Sequence, residues 1–279
     1  MSKLKGPHNV SSIMSANPYR LFFLFFSTLL SATSSVAAPP QLNYQIIDVI
    51  ARDTRPFTQG LEFDGNQLIE SSGLRGRSYV VKTSLPNQQN TQTLWHTPLP
   101  APYFAEGLSQ VNGRIYLLSW QQQKGWIIHP DTGSIESEFT YTGQGWGLTA
   151  IDNQLVRSDG SHILYWHSTN DFSELKKLEV TWSGQPVKRL NELEYSNGLI
   201  WANIWQSSFV VAIHPISGSV VGWVDLTELT QREAQVAADN VLNGIAYHEA
   251  SNTFWLTGKR WHHYYRLKIQ QPYPLSPDL

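Results

Sequence analysis

The chain has no cysteine, few charged residues and no apolar run long enough to span a membrane. Without cysteine in its 279 residues, it cannot use a thiol nucleophile, a disulfide or a Cys-ligated metal. Charged residues make up only 15% of the sequence, against about 25% in typical domains. The longest apolar run, residues 21–30, is about half the roughly 20 residues of a membrane-spanning helix. Stability must therefore come from packing, and any chemistry from other side chains.

The first 38 residues have the composition of a secretory leader. Three basic residues precede the apolar run, and small residues follow it up to Ala37 and Ala38. We therefore expect a signal peptide over residues 1–38, cleaved near Ala37 or Ala38, and export to the periplasm or outside the cell. An uncleaved membrane anchor is the alternative.

The remaining residues, 39–279, are expected to form a single domain, because an all-β domain of this length is ordinary. They contain 17 basic and 22 acidic residues, a net charge of −5. An acidic balance disfavours nucleic acid as a partner, since phosphate binding depends on Lys and Arg. We expect a monomer without stable membrane insertion once the leader is removed.

Five segments of the chain share one pattern, a Gly-Leu-like dipeptide followed by a strand, a turn and a second strand. Their starting points are 47, 40, 45 and 52 residues apart, which suits a four-stranded propeller blade. The segments begin at Gln59-Gly60-Leu61, Glu106-Gly107-Leu108, Trp146-Gly147-Leu148, Asn191-Glu192-Leu193 and Asn243-Gly244-Ile245. The repeat predicts an all-β fold, a five-bladed β-propeller. A β-sandwich or barrel would not explain five equivalent hairpins.

Two further elements complete the predicted architecture. The strand Leu42 to Ile50 is expected to close the ring beside Tyr264 to Ile269. One short helix, from Thr227 to Ala238, is expected as an insertion between blades four and five, because the stretch is rich in Glu, Gln and Ala.

The repeat also predicts where a site lies, because the first strand of each blade lines the central channel. Two rings of residues should meet at one mouth, the first from the starts of the first strands and the second from the ends of the antiparallel second strands. The first ring is Gln59, Glu106, Trp146, Asn191 and Asn243. The second is Ser71 or Ser72, Trp120, Asp159, Trp205 and Lys259. Phe57 and Phe104 fall on the same side, so we expect an aromatic cup with a few polar groups, typical of a small-molecule site.

These residues alone leave several functions open. The cup could be the binding site of a non-catalytic propeller for a small ligand or peptide. Glycoside hydrolysis would need two facing carboxylates, for which only Glu106 and Asp159 qualify, although Asp159 also suits a hydrogen-bond anchor in a turn. A metal site is not expected, because His262 and His263 should point to opposite faces and no acidic partner has suitable spacing.

Long motifs in and around these positions resemble the plant and bacterial type of glutamine cyclotransferase. The motifs include Phe57-Thr58-Gln59-Gly60-Leu61, Gly145-Trp146-Gly147-Leu148, Pro186 to Glu194, Asn203-Ile204-Trp205-Gln206, Val241 to Tyr247 and Thr257-Gly258-Lys259. The resemblance implies a five-bladed propeller that converts an N-terminal glutamine of peptides or proteins to pyroglutamate, releasing ammonia without zinc or another cofactor.

The same resemblance implies roles for individual residues. Glu106, Asn191 and Lys259 would be catalytic. The substrate would be surrounded by Phe57, Gln59, Phe104, Trp120, Trp146 and Trp205. Two departures stand beside the site: Ala105 replaces an expected glycine, and Gln144 an acid that is frequent in the family.

Overall fold

Five four-stranded antiparallel sheets make up most of the described part of the chain, as the repeat predicts. The computed structural model describes residues 38–52, 54–87, 89–233 and 239–272. The predicted leader therefore lies outside the described residues, apart from Ala38. Among the residues described, no helix is both long enough and apolar enough to cross a membrane.

Each of the first four blades uses four consecutive strands, from the channel outwards. Blade one contains β2 (Thr58–Asp64), β3 (Gln67–Ser72), β4 (Tyr79–Ser84) and β5 (Thr93–Pro98). Blade two contains β6 (Ala105–Val111), β7 (Arg114–Ser119), β8 (Lys124–Ile128) and β9 (Ile135–Thr140). Blade three contains β10 (Leu148–Ile151), β11 (Gln154–Arg157), β12 (Ile163–Ser168) and β13 (Glu174–Glu179). After a small hairpin of β14 (Thr181–Trp182) and β15 (Gln185–Pro186), blade four contains β16 (Leu190–Ser196), β17 (Leu199–Ile204), β18 (Phe209–Ile213) and β19 (Val220–Asp225).

Blade five joins the two ends of the described chain and so closes the ring. Its inner strands are β20 (Leu242–His248), β21 (Thr253–Gly258) and β22 (His263–Ile269), and its outer strand is β1 (Tyr44–Ala51). Tyr44 pairs with Ile269 and Ala51 with His263 in an antiparallel ladder. The predicted closure is confirmed. A 3₁₀ turn, Glu249–Ser251, joins β20 to β21 and makes the first hairpin of this blade longer than the first hairpins of the other blades.

The inserted helix α1, Thr227–Glu233, begins where predicted. The Asp225 carboxylate accepts the backbone N–H of Thr227 at 2.9 Å, which satisfies one of the free donors at the start of a helix. Leu229 and Glu233 are its buried residues. The predicted end at Ala238 lies outside the described residues.

The first strands approach one another closely around the channel, and glycine makes this approach possible. A Cβ on Gly107 would lie 2.5 Å from the backbone nitrogen of Leu148, and one on Gly147 would lie 2.0 Å from the carbonyl oxygen of Asn191. Both contacts are with the next blade, so no side chain fits there. The repeated glycine is thus a packing requirement between blades.

In blade four the equivalent position is occupied by Glu192 instead of glycine. Its carboxylate accepts the backbone N–H of Ile245 in the neighbouring blade at 2.8 Å and that of Leu61 in blade one at 3.2 Å. The side chain is fully buried. Three blades therefore meet on one carboxylate.

Most of the abundant tryptophan fills the spaces within and between blades. Four tryptophans are at most 1% exposed: Trp126, Trp201, Trp255 and Trp261. Burial of each large ring contributes strongly to stability. Trp120, Trp146 and Trp205, which the repeat places at the channel mouth, line a cavity there instead.

Candidate active site

A cavity of about 480 Å³ lies where the first strands begin and the second strands end. Its size falls in the ordinary range of small-molecule sites. All nine residues to which the family resemblance assigns a role line it: Phe57, Gln59, Phe104, Glu106, Trp120, Trp146, Asn191, Trp205 and Lys259. Three others line it too: Gln206, Asp239 and Val241.

Irregular strand pairing aims the polar side chains into this cavity. In four blades the ladder between first and second strands shifts register near its start, between Thr58 and Gly60, Ala105 and Leu108, Leu190 and Leu193, and Leu242 and Ile245. A bulge leaves residues unpaired and redirects their side chains. Gln59, Glu106 and Asn191 are such unpaired residues, so the bulge sets their direction.

Five aromatic rings form a wall around the polar residues. Phe57 packs edge-to-face on Phe104 with ring centroids 6.0 Å apart, and Phe104 packs on Trp120 at 5.8 Å. Trp146 packs edge-to-face on Trp205 at 5.4 Å. Such geometry is favourable for aromatic pairs.

Gln144 joins the two halves of this wall. Its Oε1 accepts the indole N–H of Trp120 at 2.7 Å and that of Trp146 at 3.0 Å. An amide with two accepting lone pairs can hold both donors at once. The glutamine at this position therefore orients two rings of the site.

Glu106 is almost fully buried, with 5% of its surface exposed. The side-chain amide of Gln59 donates to its Oε1 at 3.4 Å, and Asn243 donates to the Gln59 Oε1 at 3.2 Å. The Ser71 hydroxyl holds the Glu106 backbone carbonyl at 2.6 Å. The carboxyl is thus positioned from both its backbone and its side chain.

Burial raises the pKa of the Glu106 carboxyl well above its ordinary range, and the positive charge of Lys259 partly opposes this rise. Burial likewise lowers the pKa of the Lys259 ammonium, while the charges of Glu106 and Asp239 raise it. Each shift favours the neutral form of its group. Perturbed groups of this kind, facing one cavity, are typical of sites that transfer protons.

Two donors in the cavity are free for a ligand. Within the described part of the chain, neither the Lys259 ammonium nor the Asn191 side-chain amide has a hydrogen-bond partner, although the ammonium lies 5.1 Å from the centre of the Phe57 ring. Backbone bonds fix both residues, from Lys259 N–H to the Val241 carbonyl at 2.9 Å and from the Ser158 hydroxyl to the Asn191 carbonyl at 2.6 Å. Donors held in place but unpaired can bind an oxygen of a substrate.

Several residues predicted for the two rings do not line the cavity. Asn243 is buried beneath it, where it also donates to the Thr58 carbonyl at 2.9 Å. Ser71 and Ser72 hold backbone groups of Glu106 and Phe57 instead. Asp159 accepts the Ser161 N–H at 3.0 Å, so it is the turn anchor considered above and not a second carboxylate of the site.

Gln206, Asp239 and Val241 line the cavity without having been predicted. Gln206 directly follows Trp205, so extending the second ring by one residue could have found it. Asp239 and Val241 lie between α1 and β20, in a connection that has no counterpart in the other blades. No repeat signal points to them.

Sequence spacing offered no acidic partner for His262 and His263, but the fold brings Glu233 to both residues. The buried carboxylate of Glu233 accepts the backbone N–H of His262 at 2.7 Å and lies 2.7 Å from the His263 Nδ1. Spacing could not reveal this contact, because Glu233 is about 30 residues away in another element. The cluster ties α1 to the loop after Lys259.

Comparisons with known proteins identify the family of this chain. The family model described as "Glutamine cyclotransferase" matches residues 21–269. A glutaminyl-peptide cyclotransferase of Arabidopsis thaliana is 34% identical over 258 residues, which cover 89% of this chain and 80% of the relative. The crystal structure of Myxococcus xanthus glutaminyl cyclase superposes with a TM-score of 0.77 at 36% identity, covering 83% of this chain and 98% of that one. This chain belongs to the glutamine cyclotransferase family.

Proposed function

We propose that the aromatic cavity cyclises the N-terminal glutamine of peptides and proteins to pyroglutamate, with release of ammonia. Family membership supports glutaminyl-peptide cyclotransferase activity, an acyl transfer. The observation that carries the proposal for the site is the buried Glu106 carboxyl, placed beside two unpaired donors inside an aromatic wall.

The reaction requires the substrate's own α-amine to attack its γ-amide carbon. A carbon–nitrogen bond closes the five-membered ring, the bond to the amide nitrogen breaks, and one proton moves from the α-amine to the departing nitrogen, which leaves as ammonia. A peptide α-amine has a pKa near 8, so a neutral, nucleophilic fraction exists at pH 7. The site must fold the substrate, carry this proton and stabilise the oxyanion.

Glu106 is our proposed proton carrier. A group that accepts and returns a proton works best when its pKa lies near the working pH, and burial moves the Glu106 pKa in that direction. Its Oε1 accepts a bond from Gln59, which fixes the carboxyl without blocking it. Glu106 would take the proton from the attacking amine and deliver it to the leaving nitrogen.

Lys259 and Asn191 are our proposed donors to the developing oxyanion. Both side chains face the cavity, and both are without a hydrogen-bond partner among the described residues. Preorganised donors of this kind contribute about 3 to 4 kcal/mol each in known oxyanion holes. The aromatic wall would cover the side-chain methylenes of the glutamine and hold the folded geometry that attack requires.

The variant Glu106→Gln tests the role of the carboxyl. It should fold normally and lose at least about a hundredfold in kcat/KM for a Gln-Ala peptide, because general acid–base groups contribute at least this much. Ammonia release measures the rate, and the melting temperature checks the fold. Glu62→Gln is the matched control: it removes a half-buried first-strand carboxyl outside the cavity and should keep the activity. Near-normal turnover by Glu106→Gln would refute the role.

We also propose that residues 1–38 are removed as a signal peptide and that residues 39–279 act as one exported, monomeric domain. The basic start, the short apolar run and the small residues before Ala38 support this. Sequencing the N-terminus of the exported protein tests it, and a mature chain that begins at Met1 would contradict it.

A further inference from the structure

Three arginines stand against the aromatic wall of the cavity. The guanidinium of Arg75 lies 5.8 Å from the centre of the Trp120 ring, that of Arg189 lies 5.9 Å from the Trp205 ring, and that of Arg260 lies 5.2 Å from the Phe57 ring. These distances suit cation–π contacts. The arginines come from three different blades, so they surround the site and do not form one local patch.

Side-chain hydrogen bonds place these arginines at the rim. Arg189 donates to the Gln206 Oε1 at 3.1 Å, and Gln206 is an exposed residue that also lines the cavity. Arg260 pairs at 3.3 Å with Asp239, which is likewise exposed and lines the cavity. Arg75 donates to the Oε1 of Gln121 at 3.0 Å, and Gln121 is an exposed residue that directly follows Trp120 in the sequence.

Two of the three charges are not neutralised. Asp239 compensates Arg260, whereas the partners of Arg75 and Arg189 are the neutral amides of Gln121 and Gln206. Among the described residues, no carboxylate lies within 4.0 Å of either guanidinium. The whole chain carries a net charge of −2, so positive charge at this mouth runs against the overall balance.

We propose that Arg75 and Arg189 select substrates with acidic side chains in the residues that follow the N-terminal glutamine. This inference rests on the proposed function. If the glutamine occupies the cavity, the next residues of the peptide must leave it across the rim, past these guanidinium groups. A guanidinium suits the attraction of carboxylates over this distance, because it stays positively charged throughout the working pH range.

The magnitude follows from Coulomb's law in water. At a dielectric constant near 80, the attraction between a carboxylate and a guanidinium about 7 Å apart should raise kcat/KM about threefold over that of a neutral peptide. Two such pairs give roughly tenfold in kcat/KM. The advantage should shrink at high salt, because the screening length falls from about 10 Å at 0.1 M to about 3 Å at 1 M.

The test compares three C-terminally amidated peptides: Gln-Glu-Glu-Ala, Gln-Gln-Gln-Ala and Gln-Lys-Lys-Ala. Amidation removes the terminal carboxylate, so only side chains can supply the negative charge. At low salt we expect the acidic peptide to exceed the neutral one about tenfold in kcat/KM and the basic peptide to be the poorest. The same three peptides with free C-termini are measured beside them, and a preference for acidic side chains that appears only in this second set would mean that the rim recognises the chain terminus, which would overturn the proposal.

Variants separate charge from packing. The quantity compared is the kcat/KM of the acidic peptide divided by that of the neutral peptide. Arg75→Gln and Arg189→Gln should each reduce this ratio about threefold, whereas Arg189→Lys should retain it because the charge remains. Arg114→Gln is the matched control, an exposed arginine at the far end of its strand that should leave the ratio unchanged. Equal kcat/KM for the acidic and neutral peptides would overturn the rim proposal and leave the proposed function standing. Absence of turnover with every peptide would overturn both.

Discussion

Replacing Gly107 by alanine tests whether contact between first strands builds the site. A Cβ at this position would meet three backbone atoms of the next blade: the Leu148 nitrogen at 2.5 Å, the Trp146 oxygen at 2.6 Å and the Gly147 carbonyl carbon at 2.7 Å. Backbone atoms cannot rotate away as the end of a flexible side chain can. Blades two and three would have to separate, and the 2.6 Å hydrogen bond from the Gly107 N–H to the Trp146 carbonyl would lengthen or break.

The expected cost is large for a single methyl group. Overpacking of a tight interior costs about 1 to 3 kcal/mol, and contacts with backbone alone place Gly107→Ala at the upper end of that range. For a domain of this size, about 3 kcal/mol lowers the melting temperature by roughly 6 to 12 °C. Glu106 directly precedes Gly107, so its carboxyl should shift as well, and a misplacement of about 1 Å can cost a hundredfold in rate.

The assay combines thermal unfolding with kcat/KM for a Gln-Ala peptide at a temperature where the variant is folded. Gly65→Ala is the control: its φ of 58° strains alanine, but no atom lies within 4 Å of the new Cβ. It should lose about 1 to 2 kcal/mol of stability and keep the wild-type rate. A Gly107→Ala protein with wild-type melting temperature and rate would refute the packing argument.

Two further predictions concern buried charge. Burial raises the pKa of Glu62 to about 8 in the folded protein, above the ordinary carboxyl value of 4.5. The folded state therefore loses stability relative to the unfolded state as the pH rises from the ordinary pKa through the raised one. Glu62→Gln, which can still accept the Gln110 N–H through its amide oxygen, should therefore raise the melting temperature by a few degrees at pH 9 and leave it unchanged at pH 4; an equal change at both pH values would contradict this. Lys259 lowers the Glu106 pKa, so Lys259→Met should move the acid limb of kcat/KM to higher pH in a pH–rate profile, and a limb that stays in place would argue against Glu106 as the titrating group.

The sequence predicted much of the fold because its signals are local and repeated. The Gly-Leu-like marks recur five times, and a two-residue turn follows in four of the five copies. In two of these turns, Asn112-Gly113 and Asn197-Gly198 adopt the positive φ values that two-residue hairpin turns require. The strand that closes the ring could be placed because the last blade had only three strands and needed a fourth from the start of the chain. Equivalence between blades then led from a repeat to cavity residues such as Trp146 and Asn191.

Predictions from equivalent positions were wrong where the backbone of one blade differs from that of the other blades. Gly244 has a φ of 114°, whereas Gly60, Gly107 and Gly147 do not adopt positive φ, and the Asn243 side chain turns beneath the cavity onto blade one. Asp239 escaped prediction because it belongs to an insertion that no other blade repeats. The contact of Glu233 with His263 depends on how α1 folds back, which no sequence spacing records.

The meeting of first strands beneath the cavity has a consequence for what can enter it. One residue below Gln59, Glu106 and Trp146, glycine backbones touch the neighbouring blades, and the Glu192 carboxylate joins blades one, four and five at the same level. We therefore expect the first strands to narrow the channel beneath the cavity, so that a substrate enters from the side of the aromatic wall. A pocket closed at its base accommodates the end of a chain better than a segment that would have to pass through it. The architecture thus favours a terminal residue over an internal one, and ammonia formed in such a pocket would leave through the mouth by which the peptide entered.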